Sequence, residues 1–378
     1  MTSPKSCNSR GERVLPNELI TEVFLRSDAC LVARCRCLSR EWKDILQGEA
    51  FLLEHSQRCF AMQPSCLLHA WLPQRIACTE TILRICPSTG NQLYFPSLAF
   101  LKNCVDITIV GIQHGSIYFM YSRADGTFEL LVWNIFTKAK RFIPGPPNDG
   151  FLVLLPTISY AHVPGTVQYS IVFTFRKSMH DQFLMYQIYS SDDHKWSTTR
   201  GIIGNIFRLS LHSVILNGII YWINYSNEVD DSADSIISFC TATRTFDKLN
   251  LPPNYHSTCD SLILYEDRIA LLYLLATSNN FVASILSLRK NNHAKLSWRV
   301  DLKLKCLRVH DIPRCFIGGD LISVTEDDQD GLPGKEAIVV SKFKQSLQYA
   351  RVHIACLAWN QEIELKYVNE FSFGLFPV

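Results

Sequence analysis

The sequence predicts an α+β chain in two parts: a small three-helix module near the N-terminus, then an all-β domain of about six repeated units. Three observations predict it. Apolar residues recur at helical period only before about residue 60. After that, β-type runs recur at a spacing of roughly fifty residues, and a turn residue marks the same place in most units.

Bulk properties bound the reading first. A chain of 378 residues is long enough for a short module plus one large domain. With 47% hydrophobic and 19% charged residues it reads as folded rather than disordered. Its 37 basic and 35 acidic side chains leave a net charge of +2 and form no basic stripe, which argues against a nucleic-acid partner. Residues 1–11 are polar, lack the apolar core of a signal peptide, and are expected to be disordered. The longest apolar stretches, 151–155 and 269–276, fall far short of the roughly 20 residues that span a bilayer. The expectation is a soluble protein of the cytoplasm or nucleus with no membrane partner. In a reducing compartment its 14 cysteines should be free thiols serving as small apolar residues. The sequon at Asn224-Tyr225-Ser226 is then without consequence.

The helical module covers residues 12–58. Pro16 stands where a helix begins, a position at which its missing N–H costs nothing. Leu19, Ile20, Val23 and Phe24 follow as an apolar stripe between Asn17, Glu18, Thr21 and Glu22. Asp28 is a suitable N-cap for a second helix carrying Leu31, Val32 and Cys35. A third stripe runs Leu38, Trp42, Ile45, Leu46 and stops near Gly48. Three such short helices cannot bury three stripes among themselves, so some of that surface should face another body.

These residues resemble a known family. The run Leu15-Pro16-Asn17-Glu18-Leu19-Ile20-Thr21-Glu22-Val23-Phe24 is similar to the opening of an F-box. Arg34-Cys35-Arg36-Cys37-Leu38-Ser39-Arg40-Glu41-Trp42 is similar to its second half, where plant F-boxes favour Arg-Phe-Arg-Cys-Val-Ser-Lys-x-Trp. The halves are spaced without a gap, and Phe51 falls at the usual trailing aromatic. The resemblance implies that Leu15, Pro16, Leu19, Ile20, Val23, Val32, Cys35, Leu38 and Trp42 face a Skp-type adaptor or form the module's core. Two departures stand out: Ser27-Asp28 replaces the usual Leu-Pro, and Cys35 replaces a common Phe. Each removes on the order of 1–3 kcal/mol of possible apolar burial, which implies a weaker hold on the adaptor.

The β domain, residues 60–378, carries two markers of one period. The first is an apolar strand, a polar turn and an aromatic strand, anchored at Phe95, Phe142, Trp196, Phe246, Trp298 and Tyr349 with intervals of 47, 54, 50, 52 and 51. The second is a turn residue before an apolar strand, at Gly115, Gly165, Gly218, Asp267 and Gly319, spaced 50, 53, 49 and 52. Asn217-Gly218 is by itself a strong hairpin signal. Repeats of about 40 to 50 residues with four strands each are the mark of propeller blades. The tail around 357–376 either pairs with an early strand to close a ring or adds material outside it.

Here too the residues resemble the family's partner domain. Leu131-Val132-Trp133-Asn134 followed by Phe142-Ile143-Pro144 is similar to the plant F-box-associated, kelch-like domain. So are 214–222, Ile237-Ser238-Phe239 leading to Leu251-Pro252, and Ser297-Trp298. The usual Gly-Ser-Cys-Asn-Gly-Leu signature has decayed to 111–117.

A search for chemistry finds little. Cys30, Cys35 and Cys37 have no second Cys or His pair at zinc spacing. The eleven histidines are scattered, and no nucleophile elbow, phosphate loop or dinucleotide fingerprint occurs. The acidic run 326–331 lacks the bidentate Glu of a calcium loop, having Ala337 at its twelfth position. Asp230, Asp231 and Asp234 read as a solvated loop, and Trp133, Trp196, Trp222 and Trp298 as blade packing. The expectation is a non-enzyme with no metal and no cofactor. The resemblance implies a substrate receptor of a Skp–cullin–F-box ubiquitin ligase, whose propeller binds a target protein for ubiquitination. The alternative is an F-box regulatory protein that binds the adaptor and delivers no degradation substrate.

Overall fold

The computed structural model describes residues 15–62, 65–71, 81–85, 92–94, 104–113, 116–123, 127–134, 137–147, 154–178, 183–202, 206, 208–210, 213–225, 235–252, 261–265, 268–276, 281–290, 296–306, 313–317, 320–326, 336–341, 351–353 and 364–371. Four helices come first: α1 (Asn17–Leu25), α2 (Ala29–Cys35), α3 (Arg40–Gln47) and α4 (Glu49–Met62). The expected cap forms at Asp28, and α3 has a cap at Ser39 that the sequence reading did not single out. The Asp28 carboxylate accepts from the Leu31 N–H at 3.0 Å, and the Ser39 hydroxyl accepts from the Trp42 N–H at 3.1 Å. Leu38 thus precedes α3 instead of starting its stripe.

The fourth helix corrects the three-helix expectation. Gly48 adopts φ −63° and ψ 138°, an extended step of one residue, and α4 begins directly after it. A helical stripe was present there in Phe51, Leu52, His55 and Ser56, all buried.

The strands then form six antiparallel sheets. The first holds β1 (Ser65–Trp71), β2 (Thr81–Ile85) and β3 (Gln92–Tyr94). The second is β4 (Cys104–Gln113), β5 (Ser116–Arg123), β6 (Phe128–Asn134) and β7 (Lys140–Pro144). The third is β8 (Leu154–His162), β9 (Tyr169–Arg176) and β10 (Leu184–Ser190), with an interrupted outer strand, β11 (Lys195–Trp196) and β12 (Arg200–Ile202). The fourth has an interrupted inner strand, β13 (Arg208–Leu209) and β14 (Val214–Leu216), then β15 (Ile219–Tyr225), β16 (Ser235–Cys240) and β17 (Thr245–Asn250). The fifth is β18 (Ser261–Tyr265), β19 (Arg268–Ala276), β20 (Phe281–Lys290) and β21 (Leu296–Cys306). The sixth is β22 (Pro313–Ile317), β23 (Asp320–Glu326), β24 (Glu336–Ser341) and β25 (Arg351–His353).

The last strand, β26 (Glu364–Phe371), pairs with β1 and becomes the innermost strand of the first sheet. Around the ring β26 lies beside β4 and β4 beside β8; β8 meets the fourth sheet at β15, whose partner β14 lies beside β18; β18 lies beside β22, and β22 meets β26 again. This is a closed six-bladed propeller, and of the two fates open to the tail it takes the ring-closing one.

Both sequence markers map onto blade geometry. Of the turn markers, Gly165 and Gly218 fall between the first and second strands of their blades, as Ile215↔Ile220 pairing around Asn217-Gly218 shows; Gly115, Asp267 and Gly319 lie outside the described residues. Asn217 and Gly218 have φ of +51° and +73°, the two-residue turn whose twist matches the strands. Phe142, Trp196, Phe246 and Trp298 all lie on outermost strands; Phe95 and Tyr349 fall outside the described residues. Sheets stack face to face and bury both sides, so all eight residues of β9 are buried although Ser170, Thr174 and Arg176 are polar. Tyr160 lies so close over Gly111 that a Cβ there would clash with its ring.

The tryptophans do pack, and three also bond to the preceding blade. Trp196 Nε1–H donates to the Pro144 carbonyl at 2.9 Å, and Trp298 Nε1–H to the Asn250 carbonyl at 3.0 Å. Each bond runs from an outer strand to the last residue of the preceding blade's outer strand. Trp222 is fully buried, and its Nε1–H donates to the Ser159 hydroxyl at 2.9 Å. Replacing Trp196 or Trp298 by Phe keeps one aromatic ring and removes the donor with the rest of the indole. We expect each to lower unfolding free energy by about 1 kcal/mol, and the two to add, in denaturant titration.

Candidate functional site

Helix α1 presents apolar side chains on two adjoining faces, and only one is used by the chain itself. Ile20 is half-buried and Phe24 buried, with the Phe24 ring edge-on to Trp42 at 5.2 Å between centroids. Leu19 and Val23, four residues apart on the other face, are 54% and 60% exposed, and Leu15, just ahead of the helix, is 59% exposed. Leu38, in the α2–α3 turn, is 68% exposed; Leu31 and Pro16 are exposed as well. Fully covering a Leu or Val stabilises by about 1.5–3 kcal/mol, so this face leaves several kcal/mol of association energy unused.

The structure therefore sorts the nine residues singled out from sequence. Leu15, Pro16, Leu19, Val23 and Leu38 stand outward; Ile20, Cys35 and Trp42 are half-buried against the module core. Val32 is fully buried, so a partner could reach it only by unfolding α2. Leu31, which the sequence assigned to a packing stripe, instead joins the exposed set, while Ala29 and Val32 of the same helix are buried.

The Ser27-Asp28 departure has a local use. Ser27 Oγ donates to the Val23 carbonyl at 2.8 Å, Asp28 caps α2, and the Ser27 carbonyl accepts from His55 Nε2 at 3.0 Å. The Ser27 and Asp28 side chains thus end α1 and start α2, while the tie of this corner to α4 runs through the Ser27 backbone carbonyl. Glu22 on α1 also accepts from Arg58 of α4 at 2.7 Å and from Arg26 at 2.8 Å, and these bonds, Arg58's first, hold its carboxyl below the usual range. Asn17 Nδ2 donates to Glu41 of α3 at 3.0 Å. Helix α1 is held from behind on two sides while its outer face stays open.

His55 is fully buried on α4, stacked on Phe51. Burial pulls its pKa below the ordinary 6.5, and nearby Arg36 pushes the same way; the Ser27 carbonyl and Asp28 oppose them. Unfolding raises this proton affinity, so His55 favours the fold fully above about pH 6.5, and that contribution is lost as pH falls. Thermal unfolding followed by helix signal should show a lower midpoint at pH 5.5 than at pH 7.5, and His55→Gln should flatten that dependence.

Of the other candidates, Cys35 is half-buried and Cys37 exposed, both free thiols; the side chain of Cys30 is outside the described residues. Asp230, Asp231 and Asp234 and most of 326–331 also lie outside them. Among the described residues, no three His, Cys, Asp or Glu side chains stand close enough to hold a metal ion, and no helix is long and apolar enough to cross a membrane.

Comparison with known proteins agrees with this architecture. Residues 14–53 match the F-box domain, and residues 97–353 match the F-box associated beta propeller domain. No curated protein was found to match the chain in sequence. Among solved structures the chain is similar to TolB from Acinetobacter baumannii, at 11% identity and a TM-score of 0.47, over 84% of this chain and 71% of that one. It is similar to a putative 6-phosphogluconolactonase from Bacteroides fragilis at 10% identity and a TM-score of 0.39, over 82% and 98%. A lectin of Aleuria aurantia aligns at 8% identity and a TM-score of 0.42, over 79% and 96%. At such values these likenesses carry no functional weight. The architecture is typical of adaptor and receptor proteins, and the propeller match alone spans more than half of the chain. The chain belongs to the F-box proteins that carry an F-box associated β-propeller domain.

Proposed function

We propose that the chain is the substrate-recognition subunit of a Skp–cullin–F-box ubiquitin ligase. The outer face of α1 docks on a Skp-type adaptor and through it on a cullin. The propeller holds a target protein near the ubiquitin-charged enzyme. Such a receptor does no bond chemistry; it raises the effective concentration of the target's lysines.

The observation that carries the reading is the pair Leu19 and Val23, with Leu15 just ahead of the helix, left open by the described residues although the same helix buries Phe24. F-box domains generally bind Skp-type adaptors, and an uncovered apolar row on a helix suits a groove in a helical partner. The experiment is co-purification with a Skp-type adaptor, native chain against Leu15→Ala/Pro16→Ala. Capture by the native chain and loss in the variant support docking; capture that survives the double change overturns it. Proteasome inhibition should then raise a ubiquitinated associated protein. If none accumulates, the chain is an adaptor-binding regulator that delivers no target.

A further inference from the structure

The F-box and the propeller are not joined by a tether. Helix α4 ends at Met62 and β1 begins at Ser65, leaving two residues between the module's last turn and the first blade. A second observation lies elsewhere in the chain. The buried residues of the helices, Phe24, Val32, Leu46 and Phe51 among them, belong to one continuous core cluster with one face of the second blade. That face comprises Ile117, Phe119 and Tyr121 of β5 and Leu131 and Trp133 of β6, all buried. These positions alternate along their strands. The intervening Tyr118, Leu130 and Val132 turn the other way, against the third blade. At the rim, the Glu49 carboxylate, in the first turn of α4, accepts from the Val167 N–H in the β8–β9 turn at 3.1 Å. Val167 itself packs against the same cluster.

We propose that the second blade completes the core of the F-box, so that the docking face of α1 and the propeller form one rigid body. On this view Trp133 and Phe119 are positioning residues: they act on the docking face through the helices. A short helical module buries too little apolar surface to hold its shape alone, and the blade supplies what it lacks. Dependence of helix order on blade residues follows from the packing alone; only its consequence for adaptor capture rests on the function proposed above.

The test uses the full chain and amide hydrogen exchange of α1 to α4, without any adaptor. Trp133→Leu should speed exchange of α1 and α4 by tenfold or more at protected sites, and Trp133→Phe should restore most of the protection. Trp222→Leu, equally buried but in the fourth blade, should leave helix exchange within about twofold of native. If Trp133→Leu loosens only its own strands, or if both Leu variants loosen the helices alike, the shared core is refuted. Should Trp133→Leu fail to fold, Glu49→Ala/Val167→Ser asks the same at the rim, where helix exchange unchanged from native counts against the proposal. Capture of a purified Skp-type adaptor by these same variants should weaken in step with helix exchange. Helices that respond in a chain that captures no adaptor would refute the docking function and leave the shared core standing.

Discussion

Leu19→Asp/Val23→Asp is expected to abolish capture of a Skp-type adaptor while leaving the thermal midpoint of the chain where it was. Both side chains are more than half exposed, so the folded chain alone loses little by the change. In a complex the same positions would be covered, and a carboxylate forced under an apolar surface without a partner costs several kcal/mol. Two such carboxylates take the expected loss beyond a hundredfold in affinity. The contrast that gives the experiment its meaning is Val32→Asp. Val32 is fully buried, so a charge there should destabilise the module itself and lower capture only by unfolding it. Calorimetry of adaptor binding beside a melting curve distinguishes the two. Undiminished binding by the Leu19/Val23 variant would show that this face is not the docking surface.

Much of the architecture was legible in the sequence because propeller blades repeat their physics. A tight inner hairpin and an aromatic on the outer strand leave countable marks in the sequence, at Gly218 and at Trp196 and Trp298. The helical module was less legible, for two reasons. Gly48 resembled a terminator, but a glycine in extended conformation joins α3 to α4 as readily as it ends a chain of helices. The open and packed faces of α1 adjoin, so Leu19 and Ile20 look equivalent in sequence, and only the positions of α3 and α4 divide them. The contact between Glu49 and Val167 joins residues 118 positions apart and leaves no periodic trace. The Ser27-Asp28 pair reads in sequence as a loss of apolar surface, whereas its side chains are used locally, Ser27 on the Val23 carbonyl and Asp28 as the cap of α2.

Ending the chain at residue 363 should do more damage than any single substitution, because it removes the strand that closes the ring. β26 pairs with β1 from Ser65↔Phe371 to Trp71↔Glu364, with one register shift between His69 and Ala70. It also lies between β22 and β4, where it is the only strand from the first blade that lines the ring of inner strands among the described residues. Without it, blade one keeps β1 to β3, the inner edge of β1 is left unpaired, and nothing spans the gap between the sixth blade and the second. Point changes mostly alter stability by about 0.5–3 kcal/mol, whereas this truncation deletes a ladder, two strand contacts and the long-range closure together. The truncated chain should lose its cooperative unfolding transition or aggregate through the bared β1 edge. A synthetic peptide of residues 364–378, added during refolding, should restore the transition in a concentration-dependent way, since closure then becomes a binding event. A truncated chain that melts cooperatively at the native midpoint would mean that the ring does not depend on β26. The first blade would then have to be held by the helices through the same core that joins them to the second.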